Sequence, residues 1–250
     1  MNSSDEGFQT NPAIPLYLSQ EHACSYLEDK AASIIYFDPS AEADIPIYQW
    51  LVDRGFRRSG NHIYRPACPS CHACVPLRLP VSQFKPNRSQ RRCWKRNNPN
   101  ITVIDRPSEF DQEQFDLYQH YTKARHDDGN MANFEPNEYM GFLSSSWSET
   151  VFFEFRIDSR LVAVAISDLL PDGLSSTYTF YNPDLSHLGL GIYCLLWQIE
   201  QAQQRGLQWL YPGYWIKECT KMNYKDKFRP IEAWSNNKWN SYKTGEPLLL

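Results

Sequence analysis

In the second half of the chain, apolar residues alternate with polar ones or form short runs, a pattern typical of β-strands. The most apolar run, VAVAISDLL, ends a predicted strand over residues 161–170 and suits the middle of a sheet, with Asp168 near its end. Further strands are predicted at residues 101–104, 150–157, 175–181 and from residue 209 onwards. Helical spacing predicts helices over 109–124 and 139–143, and a longer helix from Gly189-Leu190-Gly191 to about residue 204.

The first half has shorter and more mixed patterns. Residues 1–15 are polar and predict a tail or short edge strand, and Ser19 is a candidate cap for a helical turn. The remaining predictions are strands at 31–37 and 75–81, a hairpin at 56–65, and helices at 45–55 and 89–96. The breaker cluster NNPN at 97–100 predicts a boundary between an N-terminal basic domain (1–100) and a second domain (101–250).

The element order in the second half predicts an α/β (α+β) fold. Three strands, a Gly-x-Gly turn, a helix and another strand form the core of an N-acetyltransferase-like mixed sheet with flanking helices. Gly189 and Gly191 allow a tight turn into the helix, whose first N–H groups can bind an anion or a polarised carbonyl. Coenzyme A loops usually carry Arg or Gln three residues before the first Gly, and Ser186 stands there. We therefore expect acyl transfer without coenzyme A; a turn that binds no ligand is the alternative.

Charge is distributed unevenly along the chain. Residues 54–100 contain eleven Lys or Arg and no Asp or Glu, whereas the whole chain has a net charge of −4, so the remainder carries −15. A concentrated basic region indicates a polyanionic partner such as RNA. Four aromatic residues lie within it and can stack on unpaired bases, Phe56, Tyr64, Phe84 and Trp94. A solvated basic face around ordinary core aromatics is the alternative.

Three cysteines in the same region have the spacing of a metal site. Cys68, Cys71 and Cys74 form C-x2-C-x2-C, which suits Zn or an iron–sulfur cluster, with a fourth ligand from Cys24, His72 or Cys93. Reduced, partly buried thiols without metal are the alternative. The haem-attachment pattern C-x-x-C-H at 68–72 also occurs, but covalent haem is attached after export and the N-terminus has no export signal.

Composition predicts a soluble cytoplasmic protein. The chain has 250 residues, 42% of them hydrophobic, which suffices for one large or two small domains. No apolar stretch is long enough to span a membrane, and seven cysteines without an export signal indicate reduced thiols.

Several motifs together resemble the bacterial leucyl-tRNA–protein transferases (aspartate/glutamate leucyltransferases), relatives of the arginyl-tRNA–protein transferases. The matching stretches are CSYL at 24–27, GFRRSG at 55–60, YRPACPSCHAC at 64–74, FKPNRSQRR at 84–92, RHDDGNM at 125–131, YTFYNPD at 178–184 and YPGYWIKECTKMNYKDKFRP at 211–230. Two positions depart from the family pattern, Glu28 in place of Pro and Pro212 within Y-x-G-Y. The length and the cysteine loop resemble the bacterial branch, which implies leucine as the transferred residue.

The resemblance implies an aminoacyltransferase that moves leucine from leucyl-tRNA to the α-amine of proteins beginning with Asp or Glu, marking them for N-degron degradation. It implies no required cofactor and no membrane partner. The residues predicted to act on the reacting groups are Asp168, as orienting group or proton acceptor, and the N–H groups of Leu190, Gly191 and Ile192. Those predicted to bind substrate are Arg78, Lys221, Tyr224, Lys225, Tyr178 and Tyr181, and those predicted to bind tRNA are Ser89, Arg91, Arg92 and Arg96.

Three other functions remain open at the level of sequence. Arginine can be the transferred residue, because no leucine pocket is deducible from the sequence. A coenzyme A-dependent N-acyltransferase would share the fold, and a non-catalytic RNA-binding protein would share the basic region and the cysteine loop. An aminoacyl-tRNA–protein transferase differs from the other two classes, because only a transferase uses an aminoacyl-tRNA to modify a peptide.

Overall fold

The computed structural model describes residues 14–125 and 130–248. Within them the chain forms fourteen strands. They are β1 (Leu16–Leu18), β2 (His22–Ala23), β3 (Ala31–Ala32), β4 (Ile34–Phe37), β5 (Arg57–Ser59), β6 (His62–Pro66), β7 (Val75–Pro80), β8 (Thr102–Pro107), β9 (Thr150–Ile157), β10 (Arg160–Leu169), β11 (Gly173–Tyr181), β12 (Trp209–Trp215), β13 (Ile231–Ser235) and β14 (Lys238–Tyr242).

The same residues form five α-helices. They are α1 (Ile45–Val52), α2 (Arg88–Asn97), α3 (Gln112–Arg125), α4 (Pro136–Leu143) and α5 (Leu190–Gln204). A short 3₁₀ turn at Asn223–Lys227 follows β12. None of the helices in the described ranges is long and apolar enough to cross a membrane.

The centre of the fold is an eight-stranded mixed sheet. Its strand order is β14-β13-β7-β12-β11-β10-β9-β8. Strands β11 and β12 are parallel, and every other pair of neighbouring strands in this sheet is antiparallel. Helix α5 connects β11 to β12 and buries Leu190, Leu195 and Ile199 in the main core on one face. The predicted N-acetyltransferase-like mixed α/β sheet with flanking helices is therefore confirmed.

The other face of the sheet carries the N-terminal elements. A four-stranded sheet, β1-β4-β6-β5, and helix α1 pack there, and Tyr48, Phe56 and Ile63 share a core with Trp209 and Tyr211 of β12. Asp44 caps α1 by accepting a hydrogen bond from the N–H of Ile47 at 2.8 Å. The N-terminal residues therefore cover the middle of the large sheet.

The large sheet crosses the predicted boundary at residue 100. Strand β7 lies between β12 and β13, so a strand from residues 75–80 completes a sheet made largely from the second half. Each side of that boundary thus contributes to one continuous structure. Whether 1–100 and 101–250 behave as two domains stays a prediction.

Most predicted elements occur close to their predicted ends, with two differences. The helical turn predicted from Ser19 is wrong, because His22–Ala23 pairs with Ala31–Ala32 as a small two-stranded sheet. The hairpin β13–β14 was not predicted; its turn residues, Asn236 and Asn237, have φ values of 52° and 57°. The tail predicted at 1–15 lies almost entirely outside the described residues, as do positions 126–129 of the RHDDGNM motif.

Candidate active site in the splayed sheet

The parallel strands β11 and β12 separate part of the way along their length. They pair only from Gly173–Trp209 to Ser175–Tyr211. Beyond that point β11 stays paired with β10 as far as Tyr181, with an irregularity at Thr177, and β12 stays paired with β7 as far as Trp215. The unpaired edges of residues 176–181 and 212–215 therefore border a gap, which we call the splay cleft.

The first turn of α5 lies beside the end of β11. A Cβ atom on Gly191 would lie 3.1 Å from Cε1 of Tyr181, so glycine allows the ring to rest against the helix. Gly189 begins the helix with φ of 67°, a conformation that glycine adopts without strain. Of the three predicted N–H donors, that of Ile192 donates to the carbonyl of Gly189, whereas those of Leu190 and Gly191 have no backbone partner in the described residues. Two of the three therefore lack a backbone acceptor, and of these Gly191 is half-buried whereas Leu190 is fully buried.

The two predicted tyrosines on β11 differ in their surroundings. The ring of Tyr181 packs against that of Tyr121 at a tilt of 59°, with centroids 4.9 Å apart, and its hydroxyl accepts a hydrogen bond from Arg125. Tyr178 packs edge-on against Phe142 at 5.2 Å, and its buried hydroxyl has no partner in the described residues. Tyr181 thus stands at the mouth of the cleft, whereas the Tyr178 ring belongs partly to the core.

Residues after β12 form the other side of the cleft. Lys225 is 7% exposed, and its Nζ donates to the carbonyl of Tyr214 at 2.7 Å. A Cβ on Gly213 would lie 3.5 Å from this Nζ, so the lysine lies against the strand. Burial and the nearby charge of Arg57 lower the pKa of Lys225 to about 7. Tyr224 is half-buried beside it, whereas Lys221 is exposed.

Arg57 lies where the splay begins. Its side chain donates to the carbonyl of Leu77 at 3.1 Å and to the hydroxyl of Ser175 at 3.5 Å, and it stacks 5.3 Å from the ring of Tyr211. Ser175 and Tyr211 are the last paired residues of the two strands. Sequence reasoning placed this arginine in the general basic region and did not assign it to the site; the GFRRSG motif was the one signal for it.

The predicted role of Asp168 in proton transfer does not fit its surroundings. Its carboxylate is fully buried and accepts hydrogen bonds from Arg58 at 2.5 and 2.7 Å. Tyr48 and Thr150 also donate to it, at 3.0 and 2.8 Å. Thr177 is a third hydroxyl donor at 3.3 Å, and a carboxylate enclosed by an arginine and three hydroxyls is not accessible to an incoming amine. Asp168 therefore links the strands of the large sheet to the N-terminal sheet. Its surroundings fit a buried structural aspartate, the alternative to a catalytic one.

Arg78, predicted to bind the acidic side chain of a substrate, already has protein partners. Its Nε donates to Glu232 at 2.7 Å, and its guanidinium stacks on Trp209 and Trp239 at 3.7 and 4.6 Å. A bidentate contact with a substrate carboxylate would require the loss of this pairing. The structure therefore argues against Arg78 as the carboxylate ligand.

Helix α2 presents the exposed part of the basic region. Its cap is reciprocal, because Asn87 accepts from the N–H of Gln90 while Gln90 accepts from the N–H of Asn87. The predicted tRNA-binding residues Ser89, Arg91, Arg92 and Arg96 are all exposed, together with Arg88 and Lys95. Among the described residues, none of these arginines or Lys95 forms a salt bridge. The helix is therefore a continuous cationic surface.

Both ends of α2 attach to the borders of the splay cleft. At its start, Nε2 of Gln90 donates to the carbonyl of Lys227 at 3.1 Å, within the turn that carries Lys225. At its end, Nδ2 of Asn97 donates to the carbonyl of Leu188 at 2.9 Å, and Arg96 donates to that of His187. The cationic surface and the cleft are therefore adjacent and share the same supporting residues.

Outside α2, part of the basic region is buried, although Lys85 is exposed. Arg57 and Arg58 are buried, at 6% and 4% exposure, as is Phe56, whereas Tyr64, Phe84 and Trp94 are half-buried. Phe84 stacks on Phe228 at 5.9 Å, Trp94 contacts Tyr193 at 5.5 Å, and Phe56 belongs to the N-terminal core. The core alternative holds for the buried Phe56, whereas base stacking by the half-buried Tyr64, Phe84 and Trp94 stays a prediction.

Four cysteines line one cavity of about 580 Å³, Cys24, Cys68, Cys71 and Cys74. Burial and the neighbouring sulfurs raise the pKa of Cys74 to about 12. Cys93 lies elsewhere, between α2 and α5, where its thiol contacts the carbonyls of Leu188 and Gly189. Over the described ranges no three Cys, His, Asp or Glu side chains form a group suited to a metal. The four thiols therefore line the same cavity but are not arranged as metal ligands in the described residues. Binding of Zn or an iron–sulfur cluster stays a prediction.

A mixed sheet that opens at one parallel strand pair, with a helix beginning at the opening, defines an acyltransferase-like fold. A solved structure described as that of L-PGS from Bacillus licheniformis shares this fold with a TM-score of 0.50 at 11% identity. The match covers 82% of this chain and 66% of that chain. At this identity the similarity supports the fold alone.

Sequence comparison defines the family. The family descriptions "Arginine-tRNA-protein transferase, N terminus" and "C terminus" match residues 22–92 and 113–235. An aspartate/glutamate leucyltransferase of Pseudomonas fluorescens is 49% identical over 90% of this chain and 96% of its own, and one of Hahella chejuensis is 46% identical over the same shares. The chain therefore belongs to the aminoacyl-tRNA–protein transferase family and is a transferase enzyme.

Proposed function

We propose that this enzyme moves leucine from leucyl-tRNA to the α-amine of proteins that begin with Asp or Glu. The support is the position of α2, whose start is hydrogen-bonded to Lys227 and whose end is hydrogen-bonded to Leu188. A tRNA held on the exposed arginines of this helix has the splay cleft directly beside it. The curated relatives named aspartate/glutamate leucyltransferases support leucine as donor residue and acidic acceptors.

The transfer exchanges an ester for an amide. The α-amine nitrogen of the acceptor attacks the ester carbonyl carbon of the aminoacyl-tRNA, a C–N bond forms, and the C–O bond to the terminal ribose breaks. The amine loses a proton, and the ribose oxygen gains one as it leaves as a hydroxyl. Because the ester is already activated, the enzyme's main contributions are positioning and stabilisation of the oxyanion.

The cleft offers groups for both contributions. In our proposal the N–H groups of Leu190 and Gly191 donate to the oxyanion, and Tyr181 flanks the terminal adenosine at the mouth. Tyr178, whose buried hydroxyl has no hydrogen-bond partner among the described residues, is a second contact for the ester end of the tRNA. Arg91, Arg92, Arg96 and Ser89 bind phosphates on the outer surface, where tRNA binding requires no burial of charge.

The test compares donors on a fixed set of acceptors. Purified enzyme receives labelled leucyl-tRNA, labelled arginyl-tRNA or acetyl-CoA with peptides that differ only in their first residue and have a free α-amine. We expect label from leucyl-tRNA on peptides that begin with Asp or Glu. Transfer from arginyl-tRNA alone would reassign the donor residue. Acetylation would establish a coenzyme A enzyme, and tRNA binding without transfer would establish an RNA-binding protein.

A further inference from the structure

Two cations lie inside the protein near the start of the splay, and neither has an acidic partner in the part of the chain that the structure describes. Arg57 and Lys225 are 6% and 7% exposed. The salt bridges of the described residues pair Arg58 with Asp168 and Arg78 with Glu232, and none of them includes Arg57 or Lys225. Buried lysine and arginine side chains are nearly always paired, so a positive site without an anion is unusual.

The protein satisfies these cations only in part. Lys225 donates to one carbonyl, that of Tyr214, and contacts the sulfur of Met222 at 3.6 Å. Arg57 has one carbonyl and one hydroxyl acceptor, and its buried Nε has no partner in the described residues. The hydroxyl belongs to Ser175, which contacts Tyr48, and Tyr48 in turn donates to Asp168. The hydrogen bonds of Arg57 thus lead to the carboxylate of Asp168 through two hydroxyl groups.

The charge of Arg57 affects the protonation of Lys225. The pKa of Lys225 is lowered by burial first and then by the charge of Arg57. Burial also lowers the pKa of Arg57, but a guanidinium remains protonated at neutral pH. A small anion between the two would offset both the desolvation and the mutual repulsion.

We propose that Arg57 and Lys225 form the pocket that holds the side-chain carboxylate of the acceptor's first residue and so restrict acceptors to Asp and Glu. The proposal rests on the function proposed above. It replaces Arg78 by Arg57 as the arginine that recognises the acid, and it keeps Lys225. Neither the family descriptions nor the names of the relatives assign a residue to this role.

The location favours a carboxylate over a tRNA phosphate. Arg57 touches Ser175 and Tyr211, the last paired residues, so it lies at the closed end of the cleft. The guanidinium carbon of Arg57 lies 5.3 Å from the centre of the Tyr211 ring, and the fork of a guanidinium matches a carboxylate. Exposed arginines on α2 already provide contacts for phosphates without burial. A carboxylate at the closed end would leave the α-amine nearer the open end, where α5 begins.

The test measures acceptor preference in two variants on different elements. Arg57→Gln and Lys225→Met are compared with the wild type and with Lys227→Met, an exposed lysine two residues away. Leucyl-tRNA at fixed concentration is the donor, and the acceptors are matched peptides that begin with Asp or Asn. Leucyl-tRNA affinity is measured separately by filter binding, and folding is checked by thermal unfolding.

We expect Arg57→Gln and Lys225→Met to lower kcat/KM for the Asp peptide about 100-fold, since each removes a charge-assisted contact with a buried anion. Transfer to the Asn peptide should change less than threefold, so the Asp-to-Asn ratio falls toward one, while Lys227→Met keeps the wild-type ratio. Leucyl-tRNA affinity should stay within twofold in all of them.

Three results would overturn the inference. The first is an unchanged Asp-to-Asn ratio in a folded variant of either residue. The second is a parallel loss with both peptides, accompanied by weaker leucyl-tRNA binding, which would assign the cations to the tRNA. The third is equal transfer of leucine to Asp and Asn peptides by the wild-type enzyme, which would show that the enzyme does not select acidic acceptors. If the wild-type enzyme transferred no leucine to any peptide, the proposed function itself would be refuted.

Discussion

The cations of helix α2 differ completely in their surroundings from those buried beneath the splay. Arg57 and Arg58 come from the same basic region of the chain as α2, and Lys225 faces the cleft that α2 borders. On α2, Arg91, Arg92 and Arg96 are exposed, and water screens their charges. At the splay, Arg57, Arg58 and Lys225 are at least nine-tenths buried. Exposed cations suit a large, hydrated polyanion, whereas buried ones must each have a defined partner.

Within the buried group, the adjacent residues Arg57 and Arg58 differ in whether a carboxylate neutralises their charge. Arg58 is paired with Asp168 and also donates to Thr150 at 2.9 Å, so its charge is neutralised inside the protein. Arg57, the preceding residue on β5, has no carboxylate partner in the described residues. Position in the basic region therefore does not determine the surroundings of an arginine, since Arg57 and Arg58 are adjacent and only Arg58 has a carboxylate partner in the described residues.

The largest effect is expected from breaking the buried ion pair. Asp168→Asn leaves Arg58 as an uncompensated buried charge, so the free energy of unfolding should fall by about 3–5 kcal/mol in urea titrations. Glu232→Gln, which weakens the more exposed pair with Arg78, is the matched control and should cost about 1 kcal/mol. A smaller loss in Asp168→Asn than in Glu232→Gln would contradict the structural role of Asp168.

Charge reversal on α2 should weaken tRNA binding without affecting the fold. For Arg91→Glu with Arg92→Glu, we expect at least a tenfold loss of leucyl-tRNA affinity in filter binding. The slope of log affinity against log salt should become shallower by about 1.5 to 2, because two phosphate contacts are lost. Arg160→Glu with Lys238→Glu removes the same charge from exposed positions elsewhere. Equal effects in both pairs would show a non-specific charge effect.

The buried amine should make stability depend on pH. The folded-state pKa of Lys225 is about 7, below the ordinary value of a lysine. Between pH 7 and about 10 the folded state therefore binds fewer protons at this amine than the unfolded state does. Stability relative to Lys225→Met should therefore rise with pH in the wild type, by about 2 kcal/mol from pH 7 to 9. The groups that face Lys225 are Arg57, Cys219, Met222 and Tyr224, and the variant retains all of them.

The difference in unfolding free energy between wild type and Lys225→Met is the informative quantity, because other titrating groups cancel in it. Lys227→Met, at an exposed position in the same turn, should run parallel to the wild type across this range. A constant difference between wild type and Lys225→Met would mean that the amine is solvated in the folded state.

The smallest effect is expected at the start of α5. Gly191→Ala places a methyl group 3.1 Å from the Tyr181 ring, so either the ring or the helix start must shift by a few tenths of an ångström. We expect kcat for leucine transfer to fall about fivefold, with leucyl-tRNA affinity unchanged, since phosphate contacts on α2 are unaffected. An unchanged kcat would argue against oxyanion donors at Leu190 and Gly191.

The strands, the helices and the exposed basic helix were predictable because they depend on local patterns. Alternation predicts β9 to β11, and Gly189 predicts the start of α5. Partner choice was not predictable, because Arg58 and Asp168 are 110 residues apart and Arg78 and Glu232 are 154 apart. Sequence reasoning therefore assigned Arg78 to the substrate and left Arg57 unassigned. For the same reason it could not place β7 between β12 and β13.

The most direct test of the whole account is steady-state kinetics for both substrates in two variants. The account predicts that Arg91→Glu with Arg92→Glu raises KM for leucyl-tRNA and keeps the Asp-to-Asn acceptor ratio of the wild type. It predicts that Arg57→Gln lowers that ratio and keeps KM for leucyl-tRNA. Folded variants that each change both quantities together would contradict the separation of the exposed cations from the buried ones.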